Sequence, residues 1–187
     1  MKKLLLAVMA LLSTYTATGQ KTIEGVTVEK NLTVAGQKLE LNGAGLREKL
    51  WFDLYVGALY VTTKSSDGNT LVDADQAMAI TLDITDKVVT QEKMKSSVED
   101  GFGDSCTTKE RKAIQSEINE FISFFSEAIV EGDHFEIAYV PGQGTLVSKN
   151  AKYIGTIKGL KFKRGLFGIW LGNDPVDEDL KEGMLNQ

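Results

Sequence analysis

The sequence predicts an α+β domain, an antiparallel sheet with helices layered on one of its faces. Two observations carry that prediction. Segments of period two gather in the first half and again after residue 134, and segments of helical period lie between and after them. A third observation sets the domain count: the chain has no internal repeat, low-complexity tract or interdomain linker.

Thr22 to Val28 and Gln37 to Leu41 alternate polar and apolar residues, punctuated by Asn31 and Gly36. Gly43, Ala44 and Gly45 read as a small-residue turn. It delivers the chain into an aromatic strand, Leu50 to Val61, that is apolar except for Asp53. Ser65 to Asn69 is a loop, Asp73 to Gln76 a short helical turn, and Met78 to Ile84 a strand. Thr90 opens a helical stretch that Gly101 and Gly103 are expected to break. Thr107, with Glu110 three residues on, can cap the next helix. There Ile114, Ile118, Phe121, Ile122, Phe125 and Ile129 predict one amphipathic helix ending before Gly132. Phe135 to Tyr139 and Thr145 to Ser148 form a hairpin around Pro141 to Gly144, and Tyr153 to Ile157 adds a short strand. Leu160 to Leu171 is a packed helix closed by Gly172, and a terminal helix starts at Pro175 to Glu178, where acidic residues meet its positive end.

The N-terminus predicts export. Met1, Lys2 and Lys3 are followed by the apolar run Leu4 to Leu12 and the small polar stretch Ser13 to Gly19. That is the layout of a cleaved signal peptide, too short to span a membrane. Residues 1–19 are therefore assigned to the leader and 20–187 to the domain, with a periplasmic location and no transmembrane segment once the leader is removed. Without Lys2 and Lys3 the count is 19 basic against 26 acidic residues, a formal charge of −7. Such a balance argues against nucleic acid or an anionic lipid surface as partner. Cys106 is the one cysteine and His134 the one histidine, so neither an internal disulfide nor a Cys/His metal cluster is available. The thiol reads as packed and His134 as a strand-end residue. No cofactor is implied, and the sequence leaves the oligomeric state open.

Arg47 is the residue with most to explain. A permanently charged guanidinium joined to a buried strand must find a carboxylate, carbonyls, water or an anionic ligand. Residue chemistry alone favours a structural role, an ion pair or a head that reaches solvent past its buried stem.

Leu41 to Arg47 followed by Leu54 to Val61 resembles the chalcone isomerase-like family, and Ile169 to Val176 is similar to the C-terminal signature of its bacterial exported branch. The resemblance implies an open-faced β-sandwich with a ligand cleft between a large antiparallel sheet and a helical layer. It also implies roles. In the plant isomerases the arginine matching Arg47 helps to hold the flavonoid, and in the fatty-acid-binding members it holds a carboxylate together with a tyrosine matching Tyr55. Eight residues of straight strand span roughly 26 Å, so Arg47 and Tyr55 can share a ligand only if Arg47, Glu48 and Lys49 belong to a turn or bulge. Aligned to the catalytic helix of the isomerases, Lys93 retains a lysine, Thr90 stands for a tyrosine and Ser97 for an asparagine. Ile169 falls where a later threonine is expected, and Tyr55 replaces a threonine of the water-holding network.

No catalytic residue is assigned; Arg47, Tyr55, Thr90 and Lys93 are the expected ligand contacts. The expected partner is a small apolar anionic ligand such as a fatty acid, held without catalysis. Two alternatives stay open: an isomerase or intramolecular lyase acting on an enone or phenolic compound, and an envelope interaction protein with no small-molecule ligand. N-terminal sequencing of the cell-envelope form is expected to begin near Gln20 or Lys21, and an intact Met1 would show the segment retained as an anchor.

Overall fold

A computed structural model describes residues 21–187, so the expected leader lies outside the described residues. The described chain opens with a small hairpin, β1 (Lys21–Ile23) and β2 (Val26–Val28). Seven further strands follow: β3 (Asn31–Val34), β4 (Gln37–Lys49), β5 (Phe52–Val61), β6 (Met78–Ile84), β7 (His134–Val140), β8 (Gly144–Lys149) and β9 (Lys152–Ile157). They lie side by side in chain order, each antiparallel to the next. The helices are α1 (Gly68–Asp73), α2 (Gln91–Ser105), α3 (Thr108–Ala113), α4 (Gln115–Ser123), α5 (Leu160–Leu171) and α6 (Glu178–Leu185). The architecture is the expected α+β one, a large curled antiparallel sheet with a helical layer.

Strand alternation sorts the side chains to two faces. Tyr55, Leu59, Ile80, Leu82, Phe135 and Ile137 join Phe102, Phe121, Phe162, Leu166 and Phe167 in the main core between sheet and helices. On the other face Ala44, Val56, Ala58, Tyr60, Ala79 and Ala138 pack with Val28, Val34 and the half-buried Ile23 and Val26 of the N-terminal hairpin.

Gly43, Ala44 and Gly45 are not a turn; they continue β4. Their small size serves α6. A Cβ on Gly43 would lie 2.3 Å from the Gly183 carbonyl oxygen, and one on Gly57 would lie 2.5 Å from the Met184 methyl. Asn42 fixes the contact by donating to the carbonyls of Met184 (2.8 Å) and Ser65 (2.9 Å). The aromatic strand likewise starts later than expected. Lys49 pairs with Phe52, so Leu50 and Trp51 form a two-residue turn rather than strand.

Three helix boundaries also differ. The short helix ends at Asp73 instead of starting there, because Asp67 caps it by accepting from the Thr70 amide (3.1 Å) and hydroxyl (2.7 Å). Its last carbonyls are taken by Lys163, whose buried ammonium donates to Leu71 (2.7 Å), Val72 (2.8 Å) and Ala74 (2.9 Å). Burial lowers the pKa of this lysine to about 8. Next, α2 runs through Gly101 and Gly103. Gly101 admits Ile169 of α5, whose Cγ2 would be 2.8 Å from an added Cβ. Finally, the expected helix from Ile114 to Ile129 divides. Thr107 and Glu110 form the expected capping box, but Ile114 separates α3 from α4, and α4 stops at Ser123. Phe125 and Ile129 still reach the core from non-helical chain. Gln91 satisfies the Phe125 carbonyl at 2.7 Å, and Asp133 accepts from the Val130 amide at 2.9 Å.

Overpacking a backbone contact typically costs about 1–3 kcal/mol. Gly43→Ala is therefore expected to lower the unfolding free energy by at least about 1 kcal/mol, with loss of hydrogen-exchange protection concentrated in α6. A denaturant titration paired with exchange mass spectrometry checks both.

Candidate functional site

The row of glycines that seats α6 ends where the site begins. Gly45 pairs with Gly57, and two residues farther along the same face Arg47 pairs with Tyr55. A register shift separates Arg47 from Glu48, and the two-residue turn follows within three residues. The extra residue of this bulge is Leu54 on β5, and the hairpin turn at Leu50 and Trp51 brings Arg47 directly across from Tyr55. Opposed side chains on one sheet face touch. The guanidinium carbon lies 5.5 Å from the centre of the Tyr55 ring.

Trp170 approaches the same tyrosine from α5, its indole N–H donating to the hydroxyl at 3.0 Å. Burial is the dominant influence on this phenol and raises its pKa, against the lowering effects of the Arg47 charge and of the Trp170 hydrogen bond. Tyr55 thus keeps its proton at neutral pH. Trp170 is a donor only, so the phenol oxygen accepts from it and its own proton is left to donate. Among the described residues no acceptor takes that proton, and no carboxylate forms an ion pair with Arg47. The structural ion pair that residue chemistry favoured is therefore not made within residues 21–187.

Arg47 and Tyr55 border a cavity of about 360 Å³ between the β4–β5 end of the sheet and α2. Its apolar wall comes from Leu50, Phe52, Leu54, Val88, Val89 and Met94. Lys93, Ser96, Ser97 and Asp100 line it at positions i, i+3, i+4 and i+7 of α2, which share one helix face. The wall carries three cations, Arg47, Lys49 and Lys93, against one carboxylate, Asp100. The local balance is positive in a chain whose formal charge is −5.

Of the expected contacts, Arg47, Tyr55 and Lys93 reach the cavity wall. Thr90 is instead the N-cap of α2, its oxygen facing the Lys93 amide at 3.4 Å. Ser97 does line the cavity, and Ile169 is buried against Gly101. Trp170 was read only as part of the packed last helix. The requirement that a buried indole N–H find an acceptor was the signal that could have singled it out. The remaining reactive side chains lie elsewhere. His134 sits 2.7 Å from Asp83, whose hydrogen bond raises the imidazole pKa. Burial pushes the Cys106 thiol up, and the sulfur packs against Gly165. Among the described residues no three His, Cys, Asp or Glu side chains cluster as metal ligands.

The family model described as chalcone isomerase-like matches residues 20–186. Among solved structures, the chain is similar to a fatty-acid binding protein of Arabidopsis thaliana at 18% identity, covering 87% of this chain and 93% of that one with a TM-score of 0.67. At that identity the likeness concerns the fold. No curated protein sequence matches.

Tyr55→Phe leaves the Trp170 N–H buried without its acceptor, which costs about 1–3 kcal/mol. Trp170→Phe removes the donor and its contacts together. In a double-mutant cycle the pair is expected to couple by about 1 kcal/mol, the double variant losing less stability than the two single variants combined. Additive losses would show that the bond contributes nothing to the fold.

Proposed function

The chain belongs to the chalcone isomerase-like family, and from that premise we propose that it is an exported, non-catalytic binder of a small apolar carboxylate such as a fatty acid. The observation that carries the proposal is the unmatched donor set at Arg47 and Tyr55. Arg47 and Tyr55 both line an apolar cavity, and among the described residues neither is paired with a carboxylate, the group that a guanidinium fork and a phenol proton fit. Lys93 on the opposite wall adds attraction for an anion, and Thr90 orders the start of the helix that carries it. The volume falls within the range of roughly 300–1,000 Å³ usual for small-molecule sites, which weighs against a cleft filled by its own side chains.

Binding is favoured over turnover by what surrounds the donors. Ile169 offers no hydrogen bond, Thr90 is engaged as a cap, and the cavity wall contains no histidine and only one carboxylate, Asp100. Export to the periplasm is supported by the basic start and apolar run of residues 1–12 and by the signature at Ile169 to Val176. The name of the Arabidopsis relative agrees with the ligand class.

Calorimetry with a long-chain fatty acid and its methyl ester tests the reading. Charge-assisted hydrogen bonds contribute about 1.5–3 kcal/mol each, so the acid is expected to bind at least about tenfold more tightly than the ester. Arg47→Met should erase the difference while the protein stays folded. Equal affinity for acid and ester in the unmodified protein would leave Arg47 with a structural role and overturn the proposal.

A further inference from the structure

The turn between β4 and β5 spends its most hydrophobic surface on solvent. Trp51 is 85% exposed, Leu50 77% and Phe52 38%, three consecutive apolar side chains at the tip of a hairpin. Leu50 also adopts φ +61°. A two-residue hairpin ordinarily places glycine or asparagine at such a position, since a larger L-residue there crowds its Cβ against the following carbonyl oxygen. An apolar side chain held in an unfavourable conformation, where a polar one would be easier, points to a role outside the fold.

The tip is continuous with the cavity. Lys49, Leu50 and Phe52 line it, while Trp51 stands just beyond. From this we propose that the Leu50–Phe52 tip inserts into the interfacial layer of a zwitterionic lipid bilayer, so that an apolar acid passes between membrane and cavity by contact. Indole and phenyl rings favour the headgroup boundary of a bilayer, and Lys49 beside the tip can reach lipid phosphate. The acidic balance of the whole chain disfavours an anionic surface, which is why the bilayer is specified as zwitterionic. A second copy of the chain fits less well. Stable interfaces bury roughly 800 Å² per partner, whereas an aromatic side chain supplies about 150–250 Å² and the tip holds only three apolar residues, one of them partly covered.

The docking stands independently of the carboxylate reading; the transfer of an acid rests on it. The protein has two tryptophans, and Trp170 is buried, so emission quenched by brominated phosphatidylcholine vesicles reports Trp51. Quenching is expected in the unmodified protein and absent in Trp51→Ser. That substitution lies outside the cavity wall and should leave affinity for dissolved acid unchanged. It should weaken vesicle partitioning by about tenfold, the effect of losing roughly two buried methylenes. The rate of fatty-acid uptake from donor vesicles should rise with vesicle concentration in the unmodified protein and become independent of it in Trp51→Ser. Quenching without uptake of acid would uphold the docking and count against the carboxylate reading. Emission unquenched at saturating lipid overturns the docking. So does self-association that Trp51→Ser abolishes in the absence of any quenching, which would assign the tip to a second copy.

Discussion

The burial of α5 holds the helical layer to the sheet. Nine of its twelve residues are buried, and it is held on several sides. Gly165 and Gly168 let it close against Cys106 and Ser105 at the end of α2, with the Ser105 hydroxyl donating to the Gly165 carbonyl at 2.8 Å. Phe162 stacks among Phe102 and Phe121, both ring centres 5.7 Å away. Trp170 reaches down to Tyr55, and Lys163 reaches out to α1. A helix surrounded in this way has no freedom to slide, so the phenol of Tyr55 is fixed by a partner 115 residues distant.

The cavity is a by-product of how the layer is divided. Where β4 and β5 carry glycine, α6 descends until its backbone meets theirs; where they carry Arg47 and Tyr55, no helix can approach so closely. The sheet face beyond that point is left to α2, whose Lys93, Ser97 and Asp100 stand across a gap instead of interlocking with it. An open volume thus arises from a change of residue size along one face. Its positive balance stands out in a chain that is acidic as a whole.

Strand periodicity was legible wherever a single face decided it. Met78–Ile84 and the hairpin around Pro141 emerge as read, and Leu160–Leu171 matches because its apolar residues cover most of the helix. The failures share a cause. Gly43, Gly45 and Gly101 look like punctuation to any local rule, yet each is small because another backbone or side chain, more than sixty residues away, passes close by. Phe125 and Ile129 keep helical spacing after the helix has ended, since the core demands apolar residues from irregular chain as well. At the site, the pairing of Arg47 with Tyr55 was accessible as a condition on a bulge. The indole above them was not, because the need of its N–H for an acceptor does not name an acceptor 115 residues away.

Lys163 joins two segments nearly a hundred residues apart, a task that disulfide-rich domains assign to a covalent cross-link. Here it is done by an ammonium group and three carbonyls, in a chain whose only thiol can have no partner within it. Maturation of the domain consequently includes no oxidative step. It needs neither an electron acceptor nor an isomerase to correct mispairing, and reductants have no bond in it to break. The same tertiary structure is open to the polypeptide in a reducing or an oxidising medium, and its folding is indifferent to redox poise.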